Sequence, residues 1–379
     1  MKRKTVYKIL GLCFILVSIL PCVGLFRERR NIELIAEMEN RRIATKPVST
    51  VFSSNFFKEF EAWYNDRILG RKNLIRLWSS VNGKFFNVLI SKEVVLGKDG
   101  YLFQVFNLSR DLVDEQEKLN VLKDINDLCK SKNIRFTVFI VPPSEWVFPE
   151  LLPEKYTPVD LENIELNTSE FLKQEKIDYC FISNDILEES FSERKSMYYV
   201  GDSHWNAKGA YYGAKKLLKH LSLDSTINSE IYYKQEISYG DIYTKKIGWD
   251  PIKSVVDVPW SDRFTENVIR QCNIEGTMLD GVIDGASQKG EVIYTNSNAG
   301  NKIKVLILGD SFYNAMWKYV SQDVSTVIFS HNCDVTAPKT SINITKMIER
   351  YQPDMVVYEK VGSNFYEHTF IPVFGYYEF

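Results

Sequence analysis

Two short stretches of this 379-residue chain carry side chains suited to acyl chemistry. In "VLILGDSFYNAMWKY", Val305 to Tyr319, an apolar run leads into Gly309-Asp310-Ser311, and a helical pattern follows. A serine hydroxyl is a weak nucleophile unless a base stands beside it. The chain holds only 4 histidines, so the base can be sought by elimination. His220 lies near the end of the helical stretch "AKKLLKHL", where the helix dipole favours a cation, and it reads as a solvated surface residue. His368, in the tail "NFYEHTF", has no partner close in sequence. His331 follows the apolar "VSTVIFS" at the carboxyl end of an expected strand and remains a second candidate.

His204 has more around it. In "YYVGDSHWNAKGA", Asp202 precedes it by two residues, and in an extended segment such residues share a face. A carboxylate beside the imidazole sets its tautomer and stabilises the imidazolium that forms when a serine gives up its proton. Asn206 then opens the next helix as a capping residue. On the residues alone two readings stand: a Ser–His–Asp set, or a pair of turns with a helix cap and a core histidine. A helix that begins just after Ser311 also offers free N–H groups and a positive dipole end, which are the donors an oxyanion needs.

The elements that must position these groups follow from periodicity. Short apolar runs at Ile134–Val141, Ile177–Ile182, Ile303–Leu308, Val324–Phe329 and Met355–Tyr358 alternate with helical stretches such as Val113–Lys130 and Leu161–Glu175. That alternation predicts an α/β fold with a parallel sheet covered by helices on both faces. Ligands of such sheets bind at the carboxyl ends of the strands, where Ser311 falls. "EVVLGKDGYLF" reads as a hairpin. Residues 31–92 form a helical lead-in, in which Phe56, Phe60, Trp63 or Tyr64, and Leu74 are expected to pack on the main domain. Residues 93–379 form that domain, and a polar, weakly periodic insertion at about 222–300 is expected to add short strands beside an acceptor cleft.

Composition narrows the classes. A net charge of -2 supplies no basic field for nucleic acid. No His/Asp/Glu cluster has metal-ligand spacing, so neither a metal nor another cofactor is expected. After Lys2, Arg3 and Lys4, the stretch Tyr7–Phe26 carries one charge, Lys8, and has about the 20 residues a membrane-crossing helix needs. We read residues 1–30 as an uncleaved N-terminal signal anchor, with a cleaved signal peptide as the alternative. Cys129, Cys180, Cys272 and Cys333 lie beyond it without a CxxC pair, as two disulfides or as free thiols.

Taken together, the GDSF turn and the upstream D-x-H-W-N segment resemble the alginate O-acetyltransferase family (AlgX/AlgJ-like), which are SGNH-type serine acyltransferases and esterases. "MENRRIATKP", "WYNDRILGR", "VVLGKDGYLF", "FIVPPSEWVFPELLP" and "QPDMVVYEKVGSN" agree with it in order, over roughly residues 38–365. The DHHW proteins of bacteria look nearest, with Ser203 where a second histidine would stand; Gly362-Ser363 replaces an acidic–arginine pair that such relatives often carry. The resemblance implies a permuted SGNH-hydrolase-like fold, with Ser311 as nucleophile, His204 as base and Asp202 as its orienting acid. For oxyanion or substrate contacts it leaves the Ser311 N–H, Asn314, Asn332, Trp205 and Tyr313. It further implies an extracytoplasmic O-acetyltransferase of a cell-surface or secreted polysaccharide, with a multi-span membrane O-acyltransferase as acetyl donor. An esterase of the same fold competes with that reading, as does an inert glycan-binding scaffold using Trp205 and Trp146.

Overall fold

The structure, a computed structural model, describes residues 7, 11–12, 14–15, 44–48, 53–86, 93–104, 115–224, 226–240, 242–266, 268–274, 277–278, 291–331, 342–366 and 377–378. The chain divides into two compact units, Met1–Leu96 with Asp241–Pro251, and Gly97–Gly240 with Ile252–Phe379. Apart from a few residues, the expected membrane span lies outside the described residues, among which no helix is long and apolar enough to cross a membrane.

In the first unit, α1 (Ser54–Asn65) begins at Ser53, whose side chain accepts the Phe56 N–H, and α2 (Arg71–Phe86) follows after Gly70 turns the chain at a φ of 72°. The Ser79 hydroxyl of α2 donates to the Ile247 carbonyl at 2.7 Å and accepts the Trp249 indole N–H at 3.1 Å. Elsewhere on α2, Leu74 is 52% and Trp78 65% exposed.

The second unit is built on an eight-stranded sheet. Before it come two short strands, β1 (Val94–Leu96) and β2 (Leu102–Gln104), flanking the expected Asp-Gly turn. Next, α3 (Glu115–Ser131) leads to β3 (Arg135–Val141), and α4 (Leu161–Gln174) to β4 (Asp178–Phe181). Helix α5 (Ala207–Leu221) is followed by a ribbon of β5 (Tyr232–Gly240) and β6 (Ile252–Trp260). Then come β7 (Val268–Ile274), β8 (Thr277–Met278), β9 (Glu291–Asn296), β10 (Lys304–Gly309), α6 (Tyr313–Asp323) and β11 (Thr326–His331). Last are β12 (Ile342–Asn343), α7 (Ile344–Tyr351), β13 (Met355–Val361) and β14 (Tyr377–Glu378).

The sheet order is β4-β3-β13-β10-β11-β9-β7-β8. The first five strands are parallel, as the continuous apolar runs require. The all-parallel expectation is corrected at the other edge, where β9, β7 and β8 run antiparallel to their neighbours. These strands come from the expected insertion, which is thus in part the continuation of the central sheet. In β9, Val292, Ile293 and Tyr294 are buried in succession, and antiparallel pairing needs no helical crossover between the strands.

Both faces of the parallel part are covered. On one, Leu306, Leu308, Val356, Tyr358 and Ile328 pack with Leu122 and Ile125 of α3, Ile164 and Leu172 of α4, and Ile344 and Met347 of α7. On the other, α5 and α6 pack against each other, Tyr211 meeting Tyr319 edge-on at 5.4 Å, while Tyr313 lies against Phe329 of β11 at 4.5 Å. Burying a side chain of this size stabilises by about 1.5–3 kcal/mol, so a two-faced core holds the strand ends rigidly.

Candidate active site

Strand β10 ends at Gly309, and Asp310 and Ser311 form the turn into α6. A strand that stops two residues before its serine places the hydroxyl at the carboxyl edge of the sheet. The turn is held from within. Asp310, fully buried, accepts the Phe312 N–H at 3.0 Å and the Val361 N–H at 2.8 Å. The Tyr313 N–H reaches the Asp310 carbonyl and the Asn314 N–H the Ser311 carbonyl, at 3.3 and 3.1 Å.

The second half of the site is the loop from Tyr198 to Asn206. Its ends are pinned by an isolated bridge between Tyr198 and Trp205 and by the Asn206 N–H to the Met197 carbonyl, 2.8 Å. Asn206 caps α5 as expected, its side chain accepting the Lys208 and Gly209 N–H groups. Trp205 is 1% exposed, and its indole N–H donates to the Phe312 carbonyl at 3.0 Å. That bond ties the histidine loop directly to the serine turn. Room for the ring is made by Gly213, where a Cβ would stand 2.5 Å from Trp205 Cη2.

Between these halves lies a continuous chain of short contacts. Asp202 Oδ1 is 2.7 Å from His204 Nδ1 and accepts the His204 backbone N–H at 3.0 Å. His204 Nε2 is 2.7 Å from Ser311 Oγ. With the carboxylate on Nδ1, that nitrogen carries the proton, and Nε2 is left to accept the Ser311 hydroxyl proton. The imidazole also lies against the Phe312 ring at 4.6 Å. The His204 side chain is 20% exposed and that of Asp202 9%, so a substrate can reach the histidine while its partner stays in a low-dielectric setting. Burial pushes the imidazole pKa down, but Asp202, by charge and hydrogen bond, then Asp310 and Glu145, raise it above the ordinary 6.5.

The remaining candidates are distributed differently. Asn314 stands exposed in the first turn of α6. The Ser311 N–H makes no hydrogen bond among the described residues. Trp205 and Tyr313 are buried, which corrects their placement as substrate contacts; Trp146, 5% exposed, offers no stacking surface either. Asn332 and His368 lie outside the described residues. His331 closes β11 opposite Gly309. His220, read as a solvated residue, instead has its Nε2 2.8 Å from Asp178 Oδ1. Among the described residues no group of three or more His, Cys, Asp and Glu side chains could hold a metal ion. Cys129 and Cys180 are free thiols. Asp310 was missed as a bracing residue, although its place in Gly-Asp-Ser was the available signal.

Sheet, turn and loop together define an SGNH hydrolase-like α/β protein. Residues 94–238, which include Asp202 and His204, match the family model described as ALGX, SGNH hydrolase-like domain, acetyltransferase AlgX. The probable alginate O-acetylase AlgJ of Pseudomonas fluorescens is 25% identical over 196 residues, 49% of this chain and 48% of that protein. The match thus spans about half the length of that curated relative. Over these stretches the chain is similar to AlgX and AlgJ, the likeness its motifs suggested. Among solved structures, Bacillus cereus PatB1 with a sulfonyl adduct superposes with a TM-score of 0.55 at 16% identity, covering 75% of this chain and 100% of that one. A DHHW family protein from Eubacterium siraeum gives 0.48 at 17% identity, covering 74% and 93%.

Proposed function

We propose that this protein is an O-acetyltransferase that acetylates a cell-surface or secreted polysaccharide through an acyl-serine intermediate. The observation that carries the reading is the unbroken contact chain from Asp202 through His204 to Ser311. In the first half-reaction His204 Nε2 takes the Ser311 proton as Oγ bonds to the acetyl carbonyl carbon. The oxyanion that forms is met by the Ser311 N–H, which makes no hydrogen bond among the described residues, with the exposed Asn314 amide as a second donor. Collapse of the intermediate breaks the bond to the leaving group, which takes the proton back from His204. In the second half-reaction a sugar hydroxyl gives its proton to His204 and attacks the acetyl-serine, and Ser311 is regenerated.

The polysaccharide acceptor is suggested by the likeness to alginate O-acetylation proteins. We further propose that the catalytic unit works outside the cytoplasm, held by the N-terminal span as a signal anchor. Acetyl-coenzyme A is then out of reach, and a multi-span membrane O-acyltransferase hands over the acetyl group. An esterase differs only in that water replaces the sugar in the second half-reaction. The scaffold reading loses its stacking residues, since Trp146 and Trp205 are buried.

The test is intact-mass measurement of the full chain after incubation with an activated acetyl ester. A single acetyl adduct is expected on the native chain and none on Ser311→Ala. Adding candidate polysaccharides then separates the enzymes: faster adduct loss with acetylated sugar marks a transferase, and loss to free acetate alone marks an esterase. An adduct that persists undiminished on Ser311→Ala sinks the mechanism.

A further inference from the structure

Behind the serine turn lies a second carboxyl group that the acyl-transfer steps do not use. Glu359, on β13, is fully buried, and its Oε2 accepts the Asp310 N–H at 2.9 Å. The need for this bond comes from the strand geometry. β10 pairs with β13 from Val305 to Leu308, but the chain must leave that ladder for Ser311 to stand free at the edge. The Asp310 N–H then has no strand partner, and a buried unpaired N–H is costly. The Glu359 side chain takes the place of the missing backbone acceptor. It occupies the space beside Gly309, where a Cβ would stand 2.7 Å from Oε2.

Asp310 in turn accepts the N–H groups of Phe312 and Val361. The residues on both sides of Ser311 are thus tied to β13, one through the Glu359 side chain and the other through Asp310. Lys360 follows Glu359 on the strand, where neighbours point to opposite faces, and its charge opposes the upward shift of the Glu359 carboxyl without outweighing burial and Asp310. From α6, the group nearest in kind is the buried phenol Tyr313. Burial, then Asp310, hold the Glu359 carboxyl well above the usual range. An uncharged acid accepts the N–H while adding no negative charge beneath the developing oxyanion.

We propose that Glu359 is a positioning residue of the acyl-transfer site, whose buried carboxyl anchors Asp310 and so sets the Ser311 hydroxyl against His204. The inference rests on Ser311 being the nucleophile. The test uses the full chain with an activated acetyl ester, reading kcat, KM and melting temperature for Glu359→Gln, Glu359→Asp and Glu359→Ala. Glutamine keeps shape, acceptor and neutrality, so its kcat stays within about threefold of wild type. Aspartate falls one methylene short, and alanine removes the acceptor; kcat drops about tenfold or more in each, with KM nearly unchanged. The proposal is overturned if glutamine loses as much as aspartate, or if aspartate and alanine keep the wild-type kcat. Should aspartate and alanine fail to fold, glutamine decides alone: wild-type kcat upholds the proposal and a tenfold loss overturns it, on the scale of about one lost hydrogen bond. A wild-type chain with no Ser311 adduct removes the nucleophile and this proposal together; an adduct with the wrong variant pattern removes this proposal only.

Discussion

At the scale of single residues, the proton transfer depends on what Asp202 does to His204. The imidazole accepts the serine proton only when neutral, so activity rises with pH through the folded-state pKa. Asp202 leads the groups that raise that pKa against the effect of burial. The acid limb of kcat/KM is therefore expected above pH 6.5, the ordinary imidazole value. Asp202→Asn removes the charge, which moves the limb to lower pH. It also frees the tautomer and lowers the plateau by about three to four orders of magnitude. A pH–rate profile of both chains checks this, and an unmoved limb would mean that Asp202 does not control the base.

At the scale of elements, the site depends on how closely the histidine loop approaches the serine turn. That approach is set by Trp205, whose N–H reaches Phe312 and whose ring lies over Gly213 of α5. A methyl group at Gly213 meets a buried indole edge rather than the tip of a flexible chain. Gly213→Ala is expected to destabilise by about 1–3 kcal/mol through overpacking, offset in part by its better helix propensity. Denaturant unfolding gives the stability. If the loop shifts to relieve the clash, the acylation rate falls with KM held, and the two measurements together separate packing from chemistry. The far end of α5 is secured by Arg135 of β3, whose guanidinium donates to the His220 and Leu221 carbonyls at 3.1 and 3.2 Å. A cation there pairs with helix carbonyls that lack partners.

Across the second unit as a whole, Asp178 joins three elements. It accepts from Arg135 and Thr137 of β3 and contacts His220 of α5, each closest approach being 2.8 Å, while itself lying on β4. Burial pushes its carboxyl pKa up, but hydrogen bonds from His220, Arg135 and Thr137 hold it well below the usual 3.8. A carboxylate whose folded pKa is depressed contributes stability fully present above its unfolded value and lost as pH falls through the folded one. Asp178→Asn should therefore flatten the loss of stability below about pH 4 and lower stability near neutrality. Thermal melts from pH 7 downwards measure this; parallel curves for the two chains would show that the network carries no acid-sensitive stability.

The residues alone determine a good part of this protein, because periodicity and caps are local properties. The apolar runs at β3, β10, β11 and β13 mark strands buried on both faces, and Asn206 marks the start of α5. The pairing of Asp202 with His204 is also local, since two residues apart in an extended loop share a face. The sheet's antiparallel edge was harder to see. β7 and β9 belong to a polar stretch whose alternation is short, and only the tertiary structure decided that they extend the main sheet. Chemistry residues split in the same way. Trp205 and Tyr313 have surface-capable rings, but sequence cannot say whether a ring faces a sugar or a core. His220 looked solvated because its partner Asp178 is distant in the chain. The "EK" inside the otherwise apolar "MVVYEKV" was a visible anomaly: a charge in a central strand needs a reason. Its meaning emerged only when β13 was set beside β10, because the orphaned N–H that Glu359 satisfies exists in the folded chain alone. Ser311 and His204, 107 residues apart, meet at 2.7 Å for the same reason: long-range packing, not local propensity, brings a nucleophile to its base.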